Sequence, residues 1–178
     1  MNNEDALPIR VRTTCADDAP QLRELRLEAL RNHPIAFTAD LAESEAFPPE
    51  HWRERAAAGA GEGREAVFVA ERDERLLGMT GIYVVANRPK LAHTAVIWGV
   101  YVRREARGCG VGKMLVNAAL DWARAKRLKI VKLSATVAED PAPRRCYERC
   151  GFVPYGVDPM AVQVDGKFYD EVLMSCQL

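Results

Sequence analysis

Between Trp98 and Lys113 an apolar stretch, Trp98-Gly99-Val100-Tyr101-Val102, passes through a charged turn into Gly108-Cys109-Gly110-Val111-Gly112-Lys113. A segment with helical periodicity follows at once. Three alternate glycines at a strand-to-helix junction limit what the chain can fold into. Glycine adopts backbone angles closed to other residues, and a loop without side chains lets N–H groups converge on one anion. The helix macrodipole adds to that attraction. Arg103, Arg104, Arg107 and Lys113 stand here against Glu105 alone, so the loop is a cationic nest suited to a phosphate. Spacing separates it from better known loops. A Walker A loop needs glycine where Arg107 stands and a hydroxyl where Met114 stands. A dinucleotide fingerprint starting at Gly108 needs Gly or Ala at Lys113 and normally follows the first strand. The competing reading is a turn whose glycines only let helix and strand pack closely.

The flanking patterns place this junction in a mixed fold. Ile9 to Thr14 alternates as a strand, and Leu22, Leu25 and Ala29 mark an amphipathic helix over Asp18 to Arg31. From His33 to Gly63 the pattern blurs, with a short helix expected over Pro49 to Ala58 and ended by Gly59, Gly61 and Gly63. Strands are expected over Ala66 to Glu71, Leu76 to Ala86 and His93 to Val102, with turns at Asp73-Glu74 and Asn87 to Lys90. The spacing predicts a helix over Gly110 to Arg127, a strand over Lys129 to Val137 and a short helix ending before Gly151. A strand from Phe152 to Val157 and a hairpin about Asp165-Gly166 close the chain. This order predicts an α+β fold with one mixed, largely antiparallel central sheet of about seven strands flanked by helices. The strands around Gly110 to Arg127 should be parallel, as a β-α-β unit requires. Without repeat, low-complexity tract or linker, residues 1–178 read as a single domain.

Composition narrows the function. Lys and Arg number 25 and Asp and Glu number 25, which argues against a general nucleic-acid binder, since displacing counterions from phosphates needs a basic excess. The acidic start Met1-Asn2-Asn3-Glu4-Asp5 lacks the features of a secretory signal. The longest stretches free of Asp, Glu, Lys and Arg, Leu76 to Asn87 and Leu91 to Val102, are too short for a membrane helix, which needs about 20 residues. Cys15, Cys109, Cys146, Cys150 and Cys176 are odd in number and scattered, and no His pair stands at ligand spacing. They read as reduced thiols of a cytoplasmic protein with no metal site.

Arg107-x-x-Gly110-x-Gly112, with Trp98 to Val102 before it and Lys113 to Arg127 after it, resembles the donor-binding motif of the GCN5-related N-acetyltransferases. About forty residues on, Tyr147-Glu148-Arg149-Cys150-Gly151-Phe152 is similar to that family's Tyr-x-x-x-Gly-Phe signature. The resemblance covers the second half of the chain well and the first half by element order. It implies the family's fold, acetyl-CoA as co-substrate without metal, and an amine acceptor. The partners expected are these two, with neither nucleic acid nor membrane, and a homodimer is allowed. Arg107, Gly108, Cys109, Gly110, Val111, Gly112 and Lys113 would hold the pyrophosphate, chiefly through backbone N–H groups. Arg103, Arg104 or Lys113 would reach the other phosphates. Val100, Tyr101 and Val102 would pair their backbone with the pantetheine arm as an added strand. Asp140 stands where relatives have Asn, and Pro143 where they have Ala, so a donor contact at Asp140 is expected from position only.

Two catalytic roles follow from the same resemblance. Gly99 inside a strand indicates either a bulge or tight packing beside Trp98. With a bulge, the Val100 N–H becomes the oxyanion donor, a role worth about 3 kcal/mol where such donors have been removed. Tyr147 is the general acid for the departing thiolate, or else a core aromatic. The Glu that many relatives carry on the strand is missing from Ala95-Val96-Ile97-Trp98, which leaves His93, Glu45, Tyr101, Glu171 or a water relay as base. Cys109 has no His base to make it a nucleophile. Cys146 and Cys150 read as small hydrophobes, and Trp98 and Trp122 as core rings. The acceptor should approach between Pro34 to Pro49 and the hairpin Tyr155 to Tyr169, with a small amine and a protein amino terminus both open. Glu43, Glu45 and Asp165 are available there to attract a cation, or are simply solvated. A CoA-binding sensor that has lost catalysis, or a transferase using another acyl-CoA, are the alternatives.

Overall fold

The two hairpin turns show how local chemistry starts this fold. Asp73 and Glu74 both take positive φ (52° and 61°), as do Asp165 and Gly166 (49° and 75°). Paired positive φ at the tip is the turn whose twist matches that of the flanking strands. The first turn joins β2 (Glu65–Arg72) to β3 (Arg75–Val84), and the second joins β6 (Val153–Val164) to β7 (Lys167–Gln177). With β1 (Arg10–Thr13), β4 (Thr94–Val102) and β5 (Ile130–Thr136) they form a seven-stranded sheet of order β1-β2-β3-β4-β5-β7-β6. Only β4 and β5 run parallel; the other neighbours are antiparallel. The computed structural model describes residues 8–58, 63–85, 88–137 and 141–178.

Helices cover both faces. On one lie α1 (Ala19–Asn32), α2 (Leu41–Ala46) and α3 (Pro49–Ala57), with Leu22, Leu25, Ala29, Trp52 and Ala56 buried against Val67, Val69 and Leu76. On the other lie α4 (Val111–Ala125) and α5 (Ala142–Arg149). Val111, Leu115, Val116, Ala119, Leu120 and Ala123 form the apolar stripe of α4 and bury against Phe68, Leu77, Ile82 and Ile97. Each fully buried Leu here contributes about 2 kcal/mol. Truncating Leu115 to Ala would cost about 3 kcal/mol once its cavity is counted.

The expected elements are present, with three differences. α2 had no counterpart in the sequence pattern; its N-cap is Asp40, whose Oδ1 accepts from the Glu43 N–H at 2.9 Å. β6 reaches Val164 instead of ending at Val157, because two register shifts let it bend and continue. At the second shift Met160 takes φ 54° and its N–H donates to Asp170 Oδ1 at 2.9 Å. Pro141 is the N-cap of α5, so the helix begins at Ala142, after the first proline.

Candidate functional site

The site grows from the parting of β4 and β5. Their ladder holds only at Thr94–Ile130, Ala95–Val131 and Val96–Lys132. Beyond Val96 the ladder stops, and among the described residues the upper half of β4 has no strand partner on that side. A bulge sits in the same half. Gly81 pairs with Trp98 while Met79 pairs with Tyr101, so β4 carries one extra residue at Gly99-Val100. Gly99 takes φ 65°, a conformation that suits glycine. The bulge also resets the side-chain alternation: Ile97, Val100 and Val102 face α4, while Trp98 and Tyr101 face α1. Trp98 presses so close to the neighbouring strand that a Cβ on Gly81 would lie 2.1 Å from its ring.

The glycine loop lies at the top of this strand. Gly108 and Gly110 both take φ 79°, and a Cβ on either would meet nothing within 4 Å. The loop is therefore open on the side its glycines leave bare. No side chain caps α4, whose first closing bond runs from the Met114 N–H to the Gly110 carbonyl at 3.0 Å. The amides of Val111, Gly112 and Lys113 precede that bond and stand at the positive end of a 15-residue helix. These features fit a phosphate-bearing group. Gly112 has a second reason to be glycine, since a Cβ there would lie 3.3 Å from Cys146 Sγ on α5.

The cations around the loop divide into two sets. Lys113 and Arg104 are exposed. Arg103 is buried and ion-paired with Glu24 at 2.6 Å and Glu28 at 3.1 Å, so it braces β4 against α1 and does not reach a phosphate. Arg107 is exposed yet held: its Nε donates to the Val102 carbonyl at 2.9 Å and its Nη2 meets His33 Nε2 at 2.9 Å. Its guanidinium also covers the Tyr101 ring at 5.8 Å. The Val102 carbonyl is thereby already engaged. Asp140 lies outside the described residues.

Tyr147 is buried in α5, edge-on to Phe152 at 6.3 Å, in the cluster that Val100 and Val102 also join. Burial pushes its phenol well above the usual value, and negative charge on Cys146 or Cys150 would push it the same way. The phenol keeps its proton at any physiological pH. Burial also raises both thiols, Cys150 to about 11, which fits small protonated side chains.

Of the four candidate bases, three are badly placed. His93 is exposed at the foot of β4, below the parting. Glu45 is exposed and pairs with Arg31 at 3.0 Å. Tyr101 is raised by burial and by its bond to Glu28, to which its hydroxyl donates at 2.8 Å. Glu171 pairs with Thr136 on β5 and Asp158 on β6. The β4–β5 ladder ends at Val96–Lys132, four residues below Thr136, so Thr136 and Glu171 opposite it lie beyond the parting of the two strands. Val172, Met174 and Cys176 face α4 and α5, so alternation puts Glu171 on the α1 face of the sheet.

Two cavities open on that α1 face. One of about 500 Å³ lies between residues 34–41 and the β6–β7 hairpin, lined by Arg31, Phe37, Asp40 and Asp165 among others. It occupies the expected approach of the acceptor. The segment is fastened across the sheet by the Thr136 hydroxyl, which donates to the Ile35 carbonyl at 2.8 Å. The other cavity, of about 450 Å³, is lined by His51, Glu54, Arg55, Glu65, Tyr83 and Trp98. Trp98, read from sequence as core, is only half-buried and has two guanidinium groups beside its ring, Arg55 at 5.0 Å and Arg26 at 5.8 Å. Sequence reasoning missed both arginines. The available signal was a charge at position 26 in the apolar stripe of Leu22, Leu25, Ala29 and Leu30.

Among the described residues there is no group of three or more His, Cys, Asp and Glu that could hold a metal ion. Nor is any helix among them long and apolar enough to cross a membrane. Comparison with known proteins agrees with the geometry. The chain is 28% identical over 151 residues to YwnH of Bacillus subtilis, which carries the provisional name phosphinothricin acetyltransferase; the match covers 84% of this chain and 90% of that one. It is 31% identical over 159 residues to the mycothiol acetyltransferase of Thermomonospora curvata, covering 88% of this chain but 47% of that protein. The yncA structure of Salmonella typhimurium, solved with its cofactor acetyl-CoA, superposes with a TM-score of 0.83 at 20% identity, over 97% of this chain and 95% of that one. The model of the acetyltransferase (GNAT) family matches residues 21–152, most of the chain. The chain belongs to the GNAT family and is an N-acetyltransferase.

Proposed function

We propose that the protein transfers an acetyl group from acetyl-CoA to a primary amine, on a small molecule or a peptide, by direct attack in a ternary complex. The observation that carries this reading is the bulge at Gly99-Val100 in a strand edge left bare by β5, directly below the open glycine loop. When bound, acetyl-CoA supplies the thioester carbonyl. The amides at the start of α4 hold its pyrophosphate, with exposed Lys113 and Arg104 as point charges. The β4 edge from Val100 to Val102 lines the pantetheine arm, and the Val100 N–H faces the developing oxyanion.

The remaining steps are proton movements. Glu171, directly or through water, takes a proton from the attacking ammonium so that a neutral nitrogen forms the new C–N bond. As the C–S bond breaks, Tyr147 gives its hydroxyl proton to the leaving sulfur and regains one as the amide nitrogen loses its second. Burial raises the Tyr147 phenol above a thiol, so its proton transfer is uphill taken alone. It goes forward only because the proton leaving the amide nitrogen returns to the phenolate as it forms. Residues 1–178 act as one domain in the cytoplasm; the unbroken seven-stranded sheet supports the first part. The test is thiol release from acetyl-CoA across a panel of small amines and amino-terminal peptides. Acceptor-dependent release is expected, with the limb attributed to the base lost from the pH profile of Glu171→Gln. Saturable donor binding without acceptor-dependent release would instead identify a sensor.

A further inference from the structure

The strongest unexplained feature is a buried cation without a counterion among the described residues. Arg26 is 8% exposed, and among the described residues its Nη1 has no hydrogen-bond partner and no salt bridge reaches it. Its guanidinium lies between the rings of Phe37 at 4.9 Å and Trp98 at 5.8 Å. Burial and the nearby positive charge of Arg55 push its pKa down to about 10. Arg55, 5.0 Å from the Trp98 ring, is also desolvated and forms no salt bridge among the described residues, with Glu65 near enough only to act through its charge. An arginine that merely filled space would be paired, because an isolated buried charge is among the most costly groups a fold can carry.

A Cβ on Gly99 would lie 3.3 Å from Arg26 Nη1, so the unpaired N–H group stands at the bulge itself, one residue from the Val100 amide. We infer that Arg26, assisted by Arg55 behind Trp98, binds a carboxylate of the acceptor, and that the acceptor is therefore a small amino acid whose carboxylate lies a few bonds from the amine that is acetylated. The amine has to meet the thioester carbonyl beside Val100 while its anion meets Arg26. Arg26 Nη1 lies 3.3 Å from where a Cβ on Gly99 would stand and Val100 is the next residue, so an acceptor whose charge and amine are close together fits better than one with its charge at the far end of a long chain. Phe37 and Trp98 hold the guanidinium plane in place, and a planar fork matches a carboxylate. Phe37 also lines the larger cavity, where the side chain of such an acceptor would lie.

This inference rests on the acetyl-transfer reading, and the experiment separates the two. Thiol release from acetyl-CoA is measured for the standard amino acids, the amide of each and the corresponding decarboxylated amine. At least one free acid should exceed its own amide and amine in kcat/KM by about tenfold or more. Arg26→Gln should abolish that preference while changing the amide by less than about threefold, and Arg26→Lys should restore part of it. Arg55→Gln, at a more exposed position, should weaken the preference without disturbing the fold. Equal rates for acids and amides, or an equal loss for both in Arg26→Gln, would overturn the inference. If no acceptor releases thiol, acetyl transfer fails by itself, and titration of tryptophan fluorescence with the same acids and amides decides the rest. Acid-selective quenching that needs Arg26 upholds the carboxylate site, and its absence overturns it.

Discussion

Replacing Arg26 with methionine should make the protein more stable and less useful. Arg26 titrates at about 10 in the fold against an ordinary 12.5. At about 1.4 kcal/mol per pH unit, holding the charge in place costs about 3 kcal/mol. Against this, the contacts with Phe37 and Trp98 return about 1 kcal/mol each. Methionine keeps most of the aliphatic packing and removes the charge, leaving a net gain of about 1 kcal/mol. For a chain of this size that is a rise in Tm of about 3 °C. The sign with pH is fixed by the depressed value. The unfolded chain binds the proton more tightly, so the penalty is complete below about pH 10 and is relieved only as pH rises beyond it. Calorimetry between pH 6 and 9 should therefore show the same gain throughout, with exposed Arg31→Met as the near-zero control. A fall of more than about 3 °C would refute the reasoning. It would mean that the two rings fully compensate the charge and that Arg26 is a structural residue.

Other expectations are more direct. Tyr147→Phe should lower kcat by about a hundredfold while leaving donor affinity within a factor of about two, read by steady-state kinetics and donor titration. Cys109 is exposed in the glycine loop, so acetyl-CoA should slow its alkylation by maleimide about tenfold at saturation, measured by mass spectrometry in a Cys15→Ser background. Asp18 is held below the usual carboxylate range by hydrogen bonds from Arg12 against its burial; Glu71, which burial would raise, is held down by Arg10 and Arg12. Both folded values lie below the unfolded ones, so this stability is complete above about pH 4 and lost as pH falls through the folded values. Asp18→Asn should lower stability by about 2 kcal/mol at pH 7 and flatten the acid limb of Tm against pH.

What the sequence disclosed follows from how locally each feature is encoded. The glycine loop and the turn at Asp165-Gly166 are written in consecutive residues, and α4 in a clean apolar stripe, so their reading needed no tertiary knowledge. Gly99 offered a bulge or close packing, and the pairing of Gly81 with Trp98 and Met79 with Tyr101 shows the bulge. The extension of β6 was hidden because its register shifts break the alternation by which strands are recognised. Arg103 looked like a ligand for phosphate because its counterions, Glu24 and Glu28, lie far away in sequence. Glu171 could not be preferred among four candidates until the register of β5, β6 and β7 set its height and face. Arg26 posed the opposite problem: a long cationic side chain in an apolar stripe usually reaches water, and only the packing of Phe37 and Trp98 shows that this one does not.

The parting of β4 and β5 also bears on how the protein avoids its own kind. Bare strand edges invite another chain to add to them, which is the start of aggregation, and most proteins blunt them with charge, proline or a covering loop. Here the bare edge lies in the middle of a sheet instead of at its rim. A neighbouring β-strand brings side chains on both faces and needs clear width along its whole length. The wedge between β4 and β5 narrows to a closed ladder at Val96–Lys132, so an incoming strand could not continue past that point. A wedge closed at one end limits how far another strand could pair with it, which lowers the risk that this edge templates polymerisation.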